Sequence, residues 1–315
     1  QAGFAERKGC KKSMSRRIVV VLAIFVAVVC GGAALVWLHA GGQGRTTVNF
    51  TPEPPAAGNP AVPAATPEPA AHTAPLAEKP PAAAPAAGFA PPLGEALEFS
   101  ASVAKVNNVA TLRLTVNGRR EIAGKEAWHL EAFAHTQNPL RLMFELDDQF
   151  DSYSAPGDFT SLQYEMRLSE RGTKLNSIQR MTATGREPAS AEATQTRVLP
   201  GTRDPLGMMQ YLRSVDWAKT PEPHGPVYDG RKLYEVKAQK IGSAEVQVPA
   251  GSFSTNTVEI RVFDNGQEMK DAHFKLYLAK DAARTPVLLE ATLPFAEARV
   301  QLTKRSGEGQ AGVAQ

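Results

Sequence analysis

The sequence predicts an all-β domain: an antiparallel meander curled into an open or closed β-barrel-like fold with one short amphipathic helix. Ahead of it the sequence predicts a transmembrane helix and a disordered Pro/Ala linker. Three observations lead there. From Leu93 to Arg305, apolar and polar residues alternate in run after run, the mark of strands with one buried and one solvated face. The runs are separated by Asn, Asp and Gly, which supply the positive φ of tight turns. In front stands an uncharged apolar run, Ile18–Leu38, long enough at 1.5 Å per residue to cross about 30 Å of hydrocarbon.

The apolar run sorts the chain by side of a membrane. Arg7, Lys8, Lys11, Lys12, Arg16 and Arg17 precede it, whereas Arg45 and Lys79 are the only Lys or Arg residues between 39 and 92. Basic flanks stay in the cytoplasm, so residues 1–17 are expected inside, 18–40 in the bilayer as a single-pass signal anchor, and the rest in the periplasm. Trp37 sits where an interfacial aromatic belongs, and Met14 is the expected translational start. The alternative is a signal peptide cleaved near Ala40, although such segments have apolar runs of only about 7–15 residues. Lipid attachment at Cys30 fits less well, because bulky Val29 precedes it.

From Gly41 to Pro92 alanine and proline dominate, with units such as Thr51-Pro-Glu-Pro-Pro and Thr66-Pro-Glu-Pro. So few large apolar side chains cannot offset the entropy of folding. The tract reads as a spacer or tether, about 150 Å long if fully extended at ~3.1 Å per residue. Both cysteines, Cys10 and Cys30, precede it, so the exported part has no disulfide and depends on its own core. The net charge of +3 comes largely from the basic N-terminus. The exported part is close to neutral, which gives no electrostatic case for nucleic acid.

In the domain, about ten strands are expected. Ala110, Leu112, Leu114 and Val116 face one way; so do Leu140, Leu142, Phe144 and Leu146, and Leu162, Tyr164, Met166 and Leu168. Further runs are Val258–Val262, Phe274–Leu278, Val287–Leu293 and Val300–Leu302. Turns are expected at Asn107-Asn108, Asn117-Gly118, Arg171-Gly172, Asp229-Gly230 and Asp264-Asn-Gly266. A sheet of this size must curl. Residues 306–315 read as a disordered tail.

One stretch departs from this rhythm. In Arg203-Asp-Pro-Leu-Gly-Met-Met-Gln-Tyr-Leu-Arg213, Asp204 can cap, Pro205 suits the first turn, and Leu206, Met209 and Leu212 share a helical face. The helix is expected to plug or line the concave side, or to close one barrel end as core.

The Asp204–Arg213 part of that stretch, together with Tyr228-Asp-Gly-Arg-Lys-Leu-Tyr-Glu-Val236, Val248-Pro-Ala-Gly-Ser-Phe253, Gly94-Glu-Ala-Leu97 and Asp281-Ala-Ala-Arg-Thr-Pro-Val287, resembles the exported bacterial family known as domain of unknown function 3108. The resemblance spans about Leu93 to Lys304. It implies a curved, open β-barrel-like fold in the bacterial envelope, and it transfers no catalytic role.

The sequence holds no nucleophile elbow, phosphate-binding glycine loop, His-Glu-x-x-His or paired-cysteine metal motif, so no enzyme, cofactor or metal is expected. His129 and Glu131 share a strand face and make half a metal site, or simply a solvated face. Glu145, Asp147, Asp148 and Asp151 form the densest carboxylate cluster. They offer an acid–base pair for a hydrolase, or turn caps. The remaining candidates are apolar: Met208, Met209, Tyr211 and Leu212 line a cavity for a lipid-like ligand, or are core. The expected function is a membrane-anchored envelope protein whose β-domain binds an apolar ligand or an envelope protein partner. The alternative is a structural module with a filled barrel. An energy-transducing protein shares the anchor and proline spacer, but its terminal domain is much smaller.

Overall fold

A computed structural model describes residues 89–182, 193–270, 272–293 and 296–307. The Ile18–Leu38 run, the linker through residue 88 and the tail beyond residue 307 lie outside the described residues. Among the described residues, no helix is long and apolar enough to cross a membrane.

In chain order the strands are β1 (Ala96–Val103), β2 (Val106–Ile122), β3 (Lys125–Thr136), β4 (Asp147–Ser154), β5 (Ser161–Glu170), β6 (Thr173–Thr182) and β7 (Thr194–Arg197). The helix α1 (Pro205–Ser214) follows. Then come β8 (His224–Tyr228), β9 (Leu233–Val248), β10 (Gly251–Asp264), β11 (Gln267–Glu268), β12 (His273–Ala279), β13 (Pro286–Leu293) and β14 (Ala296–Ser306). They form one sheet in the order β7-β6-β5-β4-β3-β2-β1-β14-β13-β12-β10-β9-β8, with β11 paired to β10 off that path. The chain therefore starts in mid-sheet and meanders to one edge. It crosses by α1 to the other edge and meanders back until β14 pairs with β1. Every pairing on the path is antiparallel except β6–β7.

The sheet curls but does not close: among the described residues no ladder joins β7 to β8. A short bridge spans the gap at one end. Ser161 N–H donates to Thr202 O, Arg203 N–H to Pro226 O, and Tyr228 N–H to Arg203 O, at 3.0, 3.0 and 2.8 Å. The two residues Thr202-Arg203 thus stand in for a missing strand, Thr202 bonded to β5 and Arg203 to β8.

Alternation places the core where the sequence put it. Leu112 and Val116 of β2, Leu130 and Ala132 of β3, Phe150 of β4, Tyr164 and Met166 of β5, and Leu276 and Leu278 of β12 are all buried. Asp204 caps α1 through its side chain, which accepts from Leu206 and Gly207 N–H, both at 2.9 Å, with Pro205 opening the helix.

Three expectations need correction. Residues 140–146 are not a strand. Leu140–Leu142 is a 3₁₀ turn, and Phe144 N–H reaches Leu140 O at 2.8 Å. Leu140 and Phe144 point inwards one turn apart while Leu142 is 83% exposed, so the apparent period of two concealed a helical one. Asn117-Gly118 is a bulge within β2, with Gly118 at φ 110°; the turn comes at Ala123-Gly124. Asn107-Asn108 likewise lies inside β2, after a turn at Ala104-Lys105. Bulges and turns call on the same positive-φ chemistry, and the sequence does not separate them.

Packing starts before Leu93. The Phe89 ring meets Phe159 edge-on at 6.4 Å between centroids and lies under the Arg284 guanidinium at 5.4 Å, and Pro91 is buried.

Candidate functional site

The helix α1 is the most unusual element, because it is buried nearly all round. Leu206, Met208, Tyr211 and Leu212 are buried core, and Met209 is half-buried. Polar groups anchor both of its ends. At the N-terminus Asp204 is fully buried and accepts from Ser152 Oγ at 2.6 Å and from Ser161 Oγ, besides its two backbone donors. Burial pushes its carboxyl pKa up against those four hydrogen bonds. Gly207 fits because a Cβ there would sit 2.8 Å from Phe159 O and 2.9 Å from Ser154 Oγ. This close approach accounts for a glycine that otherwise weakens a helix.

Arg203, also fully buried, stacks on Tyr211 with its guanidinium 3.8 Å from the ring centre, and donates to Asp158 O at 2.9 Å and Gly201 O at 3.2 Å. Burial lowers its pKa. At the C-terminus Arg213 pairs with Glu95 at 2.7 Å and donates to Ala283 O at 2.8 Å and Gln210 Oε1 at 3.0 Å. Arg284 caps the last carbonyls, those of Arg213 and Val215, both at 2.8 Å.

Beside α1 lies a cavity of about 20 Å³ among Leu97, Leu114, Val116, Leu130, Met209 and Arg213. About 10–15 Å³ of such space admits one water, whereas drug-sized ligand sites run to about 300–1,000 Å³. Met209 borders this cavity; Met208, Tyr211 and Leu212 do not. Alanine at Met208 or Leu212 should therefore cost about 2–5 kcal/mol, and alanine at Met209 clearly less. Denaturant unfolding of the three variants checks this ordering.

The carboxylate cluster is dispersed by the alternation of β4. Asp147 and Asp151 point outwards and Asp148 inwards. Asp147 pairs with Arg141 at 2.7 Å, a hydrogen bond that holds its carboxyl below the ordinary range, and Glu145 meets the same guanidinium at 2.8 Å. Asp151 accepts from His129 Nε2 at 2.8 Å and from Arg167. Burial acts to raise its carboxyl, but those two partners prevail and hold it low. His129 stacks on Tyr153, 4.7 Å between centroids, and Glu131 accepts from Gln149 at 3.3 Å. No group of three or more His, Cys, Asp or Glu side chains able to hold a metal occurs among the described residues. The half-site of His129 and Glu131 gains no third ligand, and the four carboxylates do not converge on one substrate position.

The sequence reading missed the Arg213–Glu95 pair and the Arg203–Tyr211 stack. Glu95, Arg203, Tyr211 and Arg213 all lie in or beside the stretches that carry the family resemblance. That was the available signal, and it did not say which of them meet.

Several solved structures are similar to this chain. A β-barrel-like protein of domain of unknown function DUF1849 from Brucella abortus is 11% identical, covering 69% of this chain and 98% of that one, with a TM-score of 0.46. A protein provisionally described as a lipoprotein, from Parabacteroides distasonis, is 12% identical over 69% and 97%, with a TM-score of 0.33. A hypothetical protein from Chlamydia trachomatis is 7% identical over 71% and 92%, with a TM-score of 0.32. No curated protein matches. The family model described as Protein of unknown function (DUF3108) matches residues 98–303, from β1 to β14, and the chain belongs to that family.

Proposed function

We propose that this chain is a membrane-tethered envelope protein whose β-domain works through its outer surface on an envelope protein partner, not as a carrier of a lipid inside the barrel. The observation that carries this reading is the filled interior. The concave side that a carrier would keep open is occupied by α1, whose Met208, Tyr211 and Leu212 are buried, and the adjoining cavity is about 20 Å³. An acyl chain would have to displace the helix together with its Asp204 and Arg213 anchors. Tethering is supported by the charge asymmetry around Ile18–Leu38 and by the proline-rich spacer, which lets a folded domain range through the envelope.

Native mass spectrometry of the chain extracted from membranes tests both parts. The expected mass includes residues 18–38 and carries no bound lipid. A stoichiometric lipid adduct would overturn the filled-barrel reading, and a chain beginning at Gly41 would overturn the anchor.

A further inference from the structure

The antiparallel register sorts the turns into two ends. The β1–β2 turn, the β3–β4 loop, the β5–β6 turn and the β8–β9 turn lie at one end. At the other lie the β4–β5 turn, on which Phe89 packs as the chain enters, and Ser306, paired with Ala96, where it leaves. The first end therefore faces away from both points of attachment.

The β3–β4 loop at that end is firmly tied and yet presents apolar side chains to solvent. Thr136 Oγ1 donates to Phe144 O at 2.9 Å and accepts from Leu146 N–H at 3.1 Å. Gln137 N–H bonds to Val109 O of β2 at 2.8 Å, and Arg171 N–H, from the β5–β6 turn, bonds to Glu145 O at 2.9 Å. Arg141 clamps Asp147 through two bonds, at 2.7 and 2.9 Å. Leu140 and Phe144 turn inwards, which leaves Leu142 and Met143 at the tip, 83% and 62% exposed. Val106 and Leu175, beside the turns on either side, are exposed as well. A loop already held in place loses little entropy when it binds, so an ordered apolar tip suits a contact surface.

The charges beside the tip are mostly positive. Lys105 stands on the β1–β2 turn, Arg171 and Lys174 on and after the β5–β6 turn, and Arg231 on the β8–β9 turn, all exposed. Arg141 holds both carboxylates of the loop, Glu145 and Asp147. Glu297 is the other exposed carboxylate at this end among the described residues. The apolar side chains stand on separate turns, whereas the core of a protein–protein interface is a continuous, well-packed patch. A lipid surface imposes no such shape: apolar tips enter the boundary of the acyl region while Lys and Arg meet the phosphates.

We propose that this end of the barrel docks on a phospholipid surface, with Leu142 and Met143 entering the interface and Lys105, Arg171, Lys174 and Arg231 meeting anionic headgroups. The proposal rests on the tethered reading above only for delivery. With its attachments at the opposite end, the domain turns this rim towards a membrane other than the one that holds the anchor. The outer strand faces are left to the protein partner.

The test uses the full chain in phosphatidylcholine vesicles, with protein-free acceptor vesicles of equimolar phosphatidylethanolamine and phosphatidylglycerol. The parent should bridge the two, read as energy transfer between dyes in the two populations. Bridging should weaken as salt rises from about 0.01 M to about 0.15 M, where the screening length shrinks from about 30 Å to about 8 Å. Leu142→Ser with Met143→Ser should weaken it about tenfold or more, since burial of one such side chain is worth about that factor. Both side chains are exposed, so the circular dichroism of this variant should match the parent's. Lys105→Glu with Lys174→Glu should also weaken bridging. Leu142→Trp should retain it, with emission moving to shorter wavelength when acceptor vesicles are added. Absence of bridging by a parent that floats with its vesicles, or full bridging by the double serine variant, would overturn the proposal. So would equal bridging to acceptors of phosphatidylcholine alone. Clustering of the donor vesicles by themselves, lost in the double serine variant, would assign the rim to a second copy of the chain and overturn it too. If the parent does not float with its vesicles the anchor reading falls, and the Leu142→Trp emission then decides the rim on its own.

Discussion

Replacing Arg213 with alanine should destabilise the domain by about 3–5 kcal/mol, the cost of leaving one member of a buried ion pair without its partner. Arg213 and Glu95 side chains are 1% and 3% exposed, so water cannot take over for the missing guanidinium. The substitution also strips Ala283 O of its two donors, Nε and Nη2. The pair joins the end of α1 to the residue just before β1 and to the turn before β13, elements far apart in sequence. Its loss therefore frees the helix from the middle of the sheet. A double replacement, Arg213→Met with Glu95→Leu, should recover the part of the loss due to the unpaired charge, because two apolar side chains leave no charge buried, while Ala283 O stays without its two donors. Denaturant unfolding of the two single variants and the double variant measures this. If both singles cost less than about 1 kcal/mol, the pair would behave like an exposed one, which its burial contradicts.

Tyr211→Ala is the second large effect, expected at about 3–5 kcal/mol for a fully buried aromatic truncated to a methyl. Tyr211 is 0% exposed, and its ring is the face on which the Arg203 guanidinium lies. Losing the ring opens a cavity and removes the cation–π contact of a charge that burial already disfavours. Tyr211→Phe keeps ring and stack, and should cost no more than about 1.5 kcal/mol, the worth of a single hydrogen bond. Because Thr202 and Arg203 bridge β5 to β8, the alanine variant should lose exchange protection at Ser161 and Tyr228 before the sheet centre does. Unfolding curves with residue-resolved exchange check both the size and the order.

The class of fold was legible because a half-buried strand writes its geometry into the sequence at a period of two. Ala110–Val116, Leu162–Leu168 and Phe274–Leu278 needed no knowledge of partners to be read. The helix start was equally local: Asp204 and Pro205 specify it within one stretch, but the spacing of Leu206, Met209 and Leu212 did not give the buried face, since α1 is buried nearly all round and Met209 is its half-buried residue. Reading failed where one local signal serves two geometries. Asn117-Gly118 gives the same positive φ to a bulge as to a turn, and Leu140-Arg-Leu-Met-Phe144 satisfies a period of two and a helical turn equally well.

What only the tertiary structure decided are meetings between distant residues. The sequence offered an acidic cluster at Glu145–Asp151, but the pleat sends Asp148 inwards and its neighbours outwards, and Asp148 accepts instead from Ser169 N–H on the next strand. It offered four residues of α1 as a single apolar set; burial leaves Met209 alone at the small cavity and puts Met208, Tyr211 and Leu212 in the core. It gave no sign that Glu95 and Arg213 meet across 118 positions. Alternation and capping depend on neighbours in the chain, so composition and spacing reveal them. A buried charge is tolerated only if a partner arrives from elsewhere, and the curl of the sheet, which brings β1, α1 and the turn before β13 together, selects that partner.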